Sequence, residues 1–369
     1  MTNSARNMYA LSIDQCVDLI ASIGKKRTVI VEGPMGTGKT TGIKHGLKKK
    51  FPDHIYVEFA CTDKDIQDLS APKFMQKLEG MVSDYVSFVP NEELGVHHGK
   101  PIILNFDEIA KALEPVKKAV RRVMLERMIN TLQLHPDSIV YGTTNLAQEG
   151  LGDMFQAHQR NAVIMVQSRQ PTTEEYLDYG INNGFDPSLL GFVKDTPALA
   201  MTFLDFKDPE DNIYGHDPRK ASSGSFWTNR SGEIASDVLK LRHTMDDTTL
   251  TQALMGTVGD RCAMDLMAFV KLADQMPKRD DILNDPKNAK IPTSASAVVM
   301  VVFRSLTGMD KKYIDPFMEY LVRLDQEAQG MFANGVRNPK YHAQQLVMTN
   351  KKFTEWAMQN NYMFSADKK

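Results

Sequence analysis

The spacing of hydrophobic positions changes along the chain, and the change divides it. Residues 10–24 carry Leu11, Cys16, Leu19, Ile20 and Ile23 at helical intervals, which predicts an amphipathic helix. From residue 28 the pattern turns to short apolar runs: TVIVEG (28–33), HIYVEFA (54–60), PIILNFDE (101–108), SIVYGTT (138–144) and NAVIMVQ (161–167). Runs of this length, rich in β-branched residues, predict buried strands. Helical patterns lie between them, notably over 113–132. Strands alternating with helices predict an α/β fold with a parallel five-stranded sheet over residues 1–171.

At Pro171 the period changes again. Thr172 and Glu175 have capping-box spacing, so a helix is expected to start there. Asp186 and Pro187 read as the N-cap and first position of the next helix. Residues 205–226 are polar and turn-rich, which predicts a long loop. From Asn229 onward almost every segment has helical period. The expected division is an α/β domain over 1–171, a helical lid over 172–277 and a helical extension over 278–369.

Composition narrows the class. Hydrophobic residues make up 42 % and charged residues 24 % of 369, which excludes disorder for most of the chain. No window approaches the ~18 charge-free apolar residues of a membrane span. The opening MTNSARNMYALSIDQ lacks an apolar core and a cleavage site, so no secretion signal is expected. Cys16, Cys61 and Cys262 are too widely spaced for a disulfide framework or zinc cluster, which suits a reducing cytoplasm. Net charge is −2, without the basic excess of a dominant nucleic-acid surface. The 22 methionines read as core filler. His97 and His98 are adjacent and read as surface or loop residues rather than metal ligands. Phe353, Trp356 and Tyr362 near the end suggest a packed bundle or subunit contact.

The candidate chemistry begins at Gly33-Pro34-Met35-Gly36-Thr37-Gly38-Lys39-Thr40, a full match to GxxxxGK[ST] between a predicted strand and a predicted helix. Its glycines let successive N–H groups point at phosphate oxygens, and the helix starting at Thr40 and Thr41 adds its positive dipole end. Lys39 can reach the β- and γ-phosphates as a point charge, and the Thr40 hydroxyl can take a magnesium position. The Lys48-Lys49-Lys50 run ends that helix and reads as a solvated terminus. Strand PIILNF ends in Asp107-Glu108. Asp107 suits magnesium through its water shell, and Glu108 suits deprotonation of a water attacking the γ-phosphate. SIVYGTT ends at Asn145; if this strand lies between the other two, Asn145 faces the γ-phosphate. A turn residue after a strand is the alternative for Asn145.

These three elements resemble the AAA+ ATPases, with Asn145 in the sensor 1 place. Within that superfamily the chain resembles the MoxR-like branch, in the form often encoded by bacteriophages. EGPMGTGKTT, FACTDKDIQDLSAP, NFDEIAKALEPVKKAVRRVMLER, TTNLAQEGLGDMFQAHQRN, FWTNRSGEIAS and ALMGTVGDRCAMDLMAFVKLADQMP carry the resemblance, strongest over 28–277. It implies an ATP-dependent ring, usually a hexamer, with ATP between subunits. It places Arg230, in FWTNRS, on the lid near the γ-phosphate; an ordinary helix-start arginine is the alternative. It points to AHQRN as the source of an arginine for the neighbour's site. There the family's usual arginine is Ala162, which leaves Arg160 or Arg169. The segment between Cys61 and Lys100 corresponds to the region where this branch carries an insert facing the pore, with YVSFVPNEELG (85–95) as the candidate for part of it and a plain helix-loop-strand connection as the equal alternative. The implied function is remodelling of a protein partner, the natural suspect being a protein with a von Willebrand A-type domain. A nucleic-acid motor or loader and a nucleotide-sensing scaffold are the competing classes.

Overall fold

The computed structural model describes residues 9–146, 161–220, 224–273 and 276–360. The chain forms two compact units, Met1–Gln170 and Pro171–Lys369.

In the first unit, helix α1 (Ile13–Ile23) starts at a capping box between Ser12 and Gln15. Strand β1 (Val29–Gly33) leads through the glycine-rich loop into α2 (Lys39–Lys50). A Cβ at Gly42 would lie 2.7 Å from Ile13 Cγ2, and one at Gly46 2.6 Å from Val17 Cγ2, so these glycines let α1 and α2 approach closely. Then follow β2 (Ile55–Ala60), β3 (Ser70–Met75), β4 (Tyr85–Pro90) and β5 (Ile102–Asp107). Helix α3 (Glu114–Glu126) and the short strands β6 (Met128–Ile129) and β7 (Leu132–Gln133) precede β8 (Ile139–Asn145) and β9 (Ile164–Gln167).

All five expected long strands form one parallel sheet in the order β2-β5-β8-β1-β9. This is the parallel five-stranded α/β sheet expected from the pattern of strands and helices. Alternation along each strand splits the apolar residues between two faces. Val29, Val31, Ile103 and Tyr141 pack with α1 and α2, while Ile30, Leu104, Phe106 and Val140 pack with α3.

One local expectation is corrected and one of two alternatives is set aside. The helix expected over 113–132 stops at Glu126, and a short hairpin follows. Arg127 (φ 59°) and Asn130 (φ 51°) adopt left-handed backbone there. The Arg127 guanidinium anchors the stop by donating to Thr28 Oγ1 at 2.7 Å and to Gly24 O at 3.0 Å. Between Cys61 and Lys100 the chain builds an antiparallel hairpin, β3 with β4, rather than helix-loop-strand. One face of it carries Pro72, Phe74, Val86 and Phe88, paired Pro72 to Phe88 and Phe74 to Val86.

The second unit is helical. The Thr172–Glu175 capping box starts α4 (Thr173–Asn182), and Asp186 caps α5 (Pro187–Asp195) through Ser188 N. After the expected long loop come α6 (Asn229–Lys240), α7 (Asp247–Val258), α8 (Asp260–Ala273), α9 (Arg279–Asn284) and α10 (Ala295–Thr307). α11 (Ile314–Leu321), α12 (Gln326–Arg337), α13 (Gln344–Met348) and α14 (Lys351–Gln359) complete it. Helices on both sides of residue 277 share one apolar core, with Leu190 and Val193 of α5 in the same cluster as Met300 and Val302 of α10. A Cβ at Gly191 would lie 2.5 Å from Met300 Cγ, so glycine permits this approach. Phe353 and Trp356 join that core, which bears out the packed-bundle reading of these two residues; Tyr362 lies outside the described residues.

Candidate functional site

Strand order assembles the site. β8 lies between β1 and β5, the arrangement on which the reading of Asn145 depends. Its register pairs Asn145 with Gly33 and Gly142 with Phe106. The end of β5, the end of β8 and the loop after β1 therefore share the C-terminal edge of the sheet, where ligands bind in open α/β sheets.

The loop has a geometry that suits an anion. Gly36 (φ 68°) and Gly38 (φ 84°) take left-handed backbone that other residues adopt only at a cost. Gly38 is the N-cap of α2 and offers no side-chain acceptor, so a phosphate can take the place of a cap. Gly33 faces Ser168 so closely that a Cβ would lie 2.1 Å from its Oγ. Lys39 is only 6 % exposed. Its Nζ donates to Gly33 O at 2.8 Å, to Pro34 O at 2.5 Å and to Asn145 Oδ1 at 3.1 Å. The ammonium thus rests on acceptors that phosphate oxygens can replace. Pro34 O also accepts from Thr37 Oγ1 at 3.0 Å, which closes the turn.

Around Asp107 the donors are hard oxygens. Thr40 Oγ1 donates to Asp107 Oδ1 at 3.0 Å, and the Thr143 hydroxyl donates to the same oxygen. A hydroxyl and a carboxylate in direct contact suit magnesium, which commonly takes one or two protein ligands and completes its shell with water and phosphate. Among the described residues no group of three or more His, Cys, Asp or Glu is placed to hold a metal.

Glu108 stands at the turn out of β5 with φ 51° and ψ 35°. Left-handed backbone at a residue other than glycine costs about 1–3 kcal/mol and clusters at functional sites. Its Oε1 accepts from Asn145 Nδ2 at 3.1 Å, and its Oε2 lies 2.8 Å from Lys111 Nζ. An ammonium only donates and a carboxylate only accepts, so the Asn145 amide must turn its oxygen to Lys39 and its nitrogen to Glu108.

Lys39, Thr40, Asp107, Glu108 and Asn145 therefore converge. Arg230 lies in the second unit, exposed in the first turn of α6 and without an ion pair among the described residues. Arg160 lies outside the described residues. Arg169 follows β9, and its Nη1 donates to Gln170 O at 3.0 Å. His97 and His98 are exposed in a short turn, in line with the surface reading. The three cysteines are buried and free. Burial pushes the Cys16 thiol up to about 11 and, helped by Asp265, Cys262 up to about 12. Burial and then Asp107 push Cys61 up as well. Thiols held protonated in this way are poor nucleophiles.

Two residues of the site were not singled out from sequence. Thr143 had a signal: it sits two positions before Asn145 and so on the same face of β8. Lys111 had none, because its contact depends on the turn after Glu108.

No protein-family model matches the sequence, and no curated protein matches it. Solved structures similar to the chain include NtrX from Brucella abortus in complex with ADP, at 13 % identity over 95 % of this chain and 67 % of that one, TM-score 0.38. The Thermotoga maritima RuvB Holliday junction branch migration motor is similar at 14 % identity over 82 % of this chain and 85 % of that one, TM-score 0.34. No described helix is long and apolar enough to cross a membrane.

Proposed function

We propose that this chain is an AAA+ ATPase that binds ATP with Mg2+ at the loop-strand edge, hydrolyses it and couples the reaction to remodelling of a protein partner. The observation that carries the reading is the convergence of Lys39, Thr40, Asp107, Glu108 and Asn145 on one sheet edge beside an uncapped helix start. Backbone groups from Gly33 to Thr41 would bind the phosphates, and Lys39 would exchange its carbonyl acceptors for phosphate oxygens. Thr40 and Asp107 would hold Mg2+, which supplies charge neutralisation between the phosphates. Glu108 takes the proton of the attacking water, and Asn145 orients that water. Arg160 and Arg230 complete the proposed set as cations for the γ-phosphate. A cation in the first turn of α6 opposes the helix dipole, so helix stability gives no reason for Arg230 to be there.

Lys39→Ala is the direct test. Each charge-assisted hydrogen bond contributes about 1.5–3 kcal/mol, so loss of the ammonium should weaken binding of labelled ATP by at least ~10-fold. Unchanged affinity in a folded variant would remove the loop from nucleotide binding.

The hairpin supports a protein partner. Phe74 is 86 % exposed and Val82 98 % exposed, with Leu78 and Phe88 also at the surface. Its charges are Lys73 and Lys77 against Glu79 and Asp84, which cancel. An apolar and electrically neutral surface suits a protein better than a nucleic acid, whose binding rests on phosphate neutralisation. The combined variant Phe74→Ser, Val82→Ser, Phe88→Ser should lose at least ~10-fold in affinity for casein, used as an unstructured probe. Equal casein binding, with nucleotide binding intact as a fold control, would count against the hairpin as the contact.

The finer reading is a MoxR-like cytoplasmic protein of the form often encoded by bacteriophages, working as a homo-hexameric ring with a von Willebrand A-type partner. The sequence stretches that carry that resemblance support it. Ala162, standing where the family's arginine is usual, favours a nucleotide-sensing scaffold instead; steady-state ATP turnover at several protein concentrations separates the two.

A further inference from the structure

We propose that Lys111 is a positioning residue for Glu108, the last member of a chain Lys39–Asn145–Glu108–Lys111 that ties phosphate occupancy to the orientation of the base. The inference rests on the reading of Glu108 as the base. Glu108 opens a single 3₁₀ turn, Ile109–Lys111, closed by Lys111 N donating to Glu108 O at 2.9 Å. The left-handed turn at Glu108 folds the chain back so that Lys111 Nζ lies within 2.8 Å of Glu108 Oε2.

Asn145 holds the other carboxylate oxygen at 3.1 Å. Two donors on opposite oxygens fix the plane of the carboxylate, which one donor alone cannot do. Stability does not account for the pair, since both side chains are 35 % exposed and such ion pairs contribute little. The left-handed backbone of Glu108 that makes the turn works against stability. Asn145 is the member that changes. Its Oδ1 accepts from Lys39, so transfer of the ammonium to a phosphate frees the amide to turn toward that phosphate and the attacking water. Lys111 takes no part in that exchange and keeps Glu108 aimed while Asn145 re-pairs.

The experiment compares wild type, Lys111→Met, Lys111→Arg, Glu108→Gln and the double variant Glu108→Gln/Lys111→Met. ATP turnover at saturating ATP, affinity for a fluorescent ATP analogue and thermal melting are measured on each. Lys111→Met should lower kcat on the order of 10–10²-fold, the usual cost of a misplaced catalytic group, with affinity and melting temperature unchanged. Lys111→Arg should recover most of the loss, and Lys111→Met should add nothing once Glu108 is glutamine. Full or raised turnover in Lys111→Met, with Glu108→Gln inactive, overturns the positioning role and leaves the base in place. Parallel losses of affinity and melting temperature would make Lys111 structural and overturn the role too. Wild-type turnover in Glu108→Gln, or no turnover in wild type, removes the base reading itself and the inference with it.

Discussion

Glu108→Gln should cut ATP turnover ~10²–10⁴-fold while ATP remains bound, because glutamine keeps the shape of the proposed base but cannot take a proton. The substitution is mild on structural grounds. The amide oxygen of glutamine can still accept from Asn145 Nδ2, which donates to Oε1 in the native site. The side chain is 35 % exposed, and the charge left over among the described residues is the equally accessible Lys111. The expected result is slow phosphate release together with nucleotide that stays with the protein through gel filtration. Turnover within a few-fold of wild type would show that another group takes the proton. Loss of binding together with turnover would show that Glu108 supports the loop rather than the chemistry.

Much of this site is legible because its parts are local. A strand, a glycine-rich loop and a helix start occupy consecutive residues, and Asp107-Glu108 follows directly on an apolar run. What the sequence lacks is the order of strands. Asn145 is a turn residue after a strand until β8 is placed between β1 and β5, and only then does it lie opposite Gly33. The hairpin at 70–90 was illegible for a different reason. Both of its faces reach solvent, so no alternation of buried and exposed positions marks its strands. The end of α3 at Glu126 is set by the Arg127 guanidinium reaching Gly24 and Thr28, about a hundred positions earlier. No helical period encodes such a contact. Residue 277 looked like a boundary because helical segments separated by polar turns read alike whether they share a core or not. Their sharing is decided by contacts such as Gly191 against Met300.

The second large effect is expected from Arg160, proposed to act on the neighbouring subunit's ATP. An arginine supplied in trans can contribute ~10³–10⁵ in rate by stabilising charge on the transferring phosphoryl group. Arg160 itself lies outside the described residues; the strand that follows it is described. Ile164 pairs with Val29, and its N–H donates to Thr28 O at 2.9 Å. The chain thus enters β9 level with the beginning of β1. From Thr28 to Gly33 is five residues at ~3.3 Å each, about 17 Å along the strand. The approach to β9 is on the edge of the sheet opposite the phosphate loop. Arg169 leaves β9 at the other end, where Gln167 pairs with Glu32 and Ser168 N donates to Glu32 O at 2.7 Å. Arg169 leaves the strand at the phosphate-loop end and is the candidate to test within its own chain, whereas it is the family resemblance that assigns Arg160 to a neighbour. Arg160→Ala should therefore bind ATP normally and hydrolyse it poorly. Mixing it with Glu108→Gln protein, each inactive alone, should restore activity, because an intact Glu108 can meet an intact Arg160 across a subunit boundary. In a closed ring of randomly mixed subunits about one interface in four is complete, so recovery should reach a sizeable fraction of wild type. Activity should also rise more steeply than protein concentration, since a monomer lacks a complete site. No recovery despite demonstrated subunit exchange would return the role to Arg169, to be tested by the same mixing, or leave the site without a donated cation.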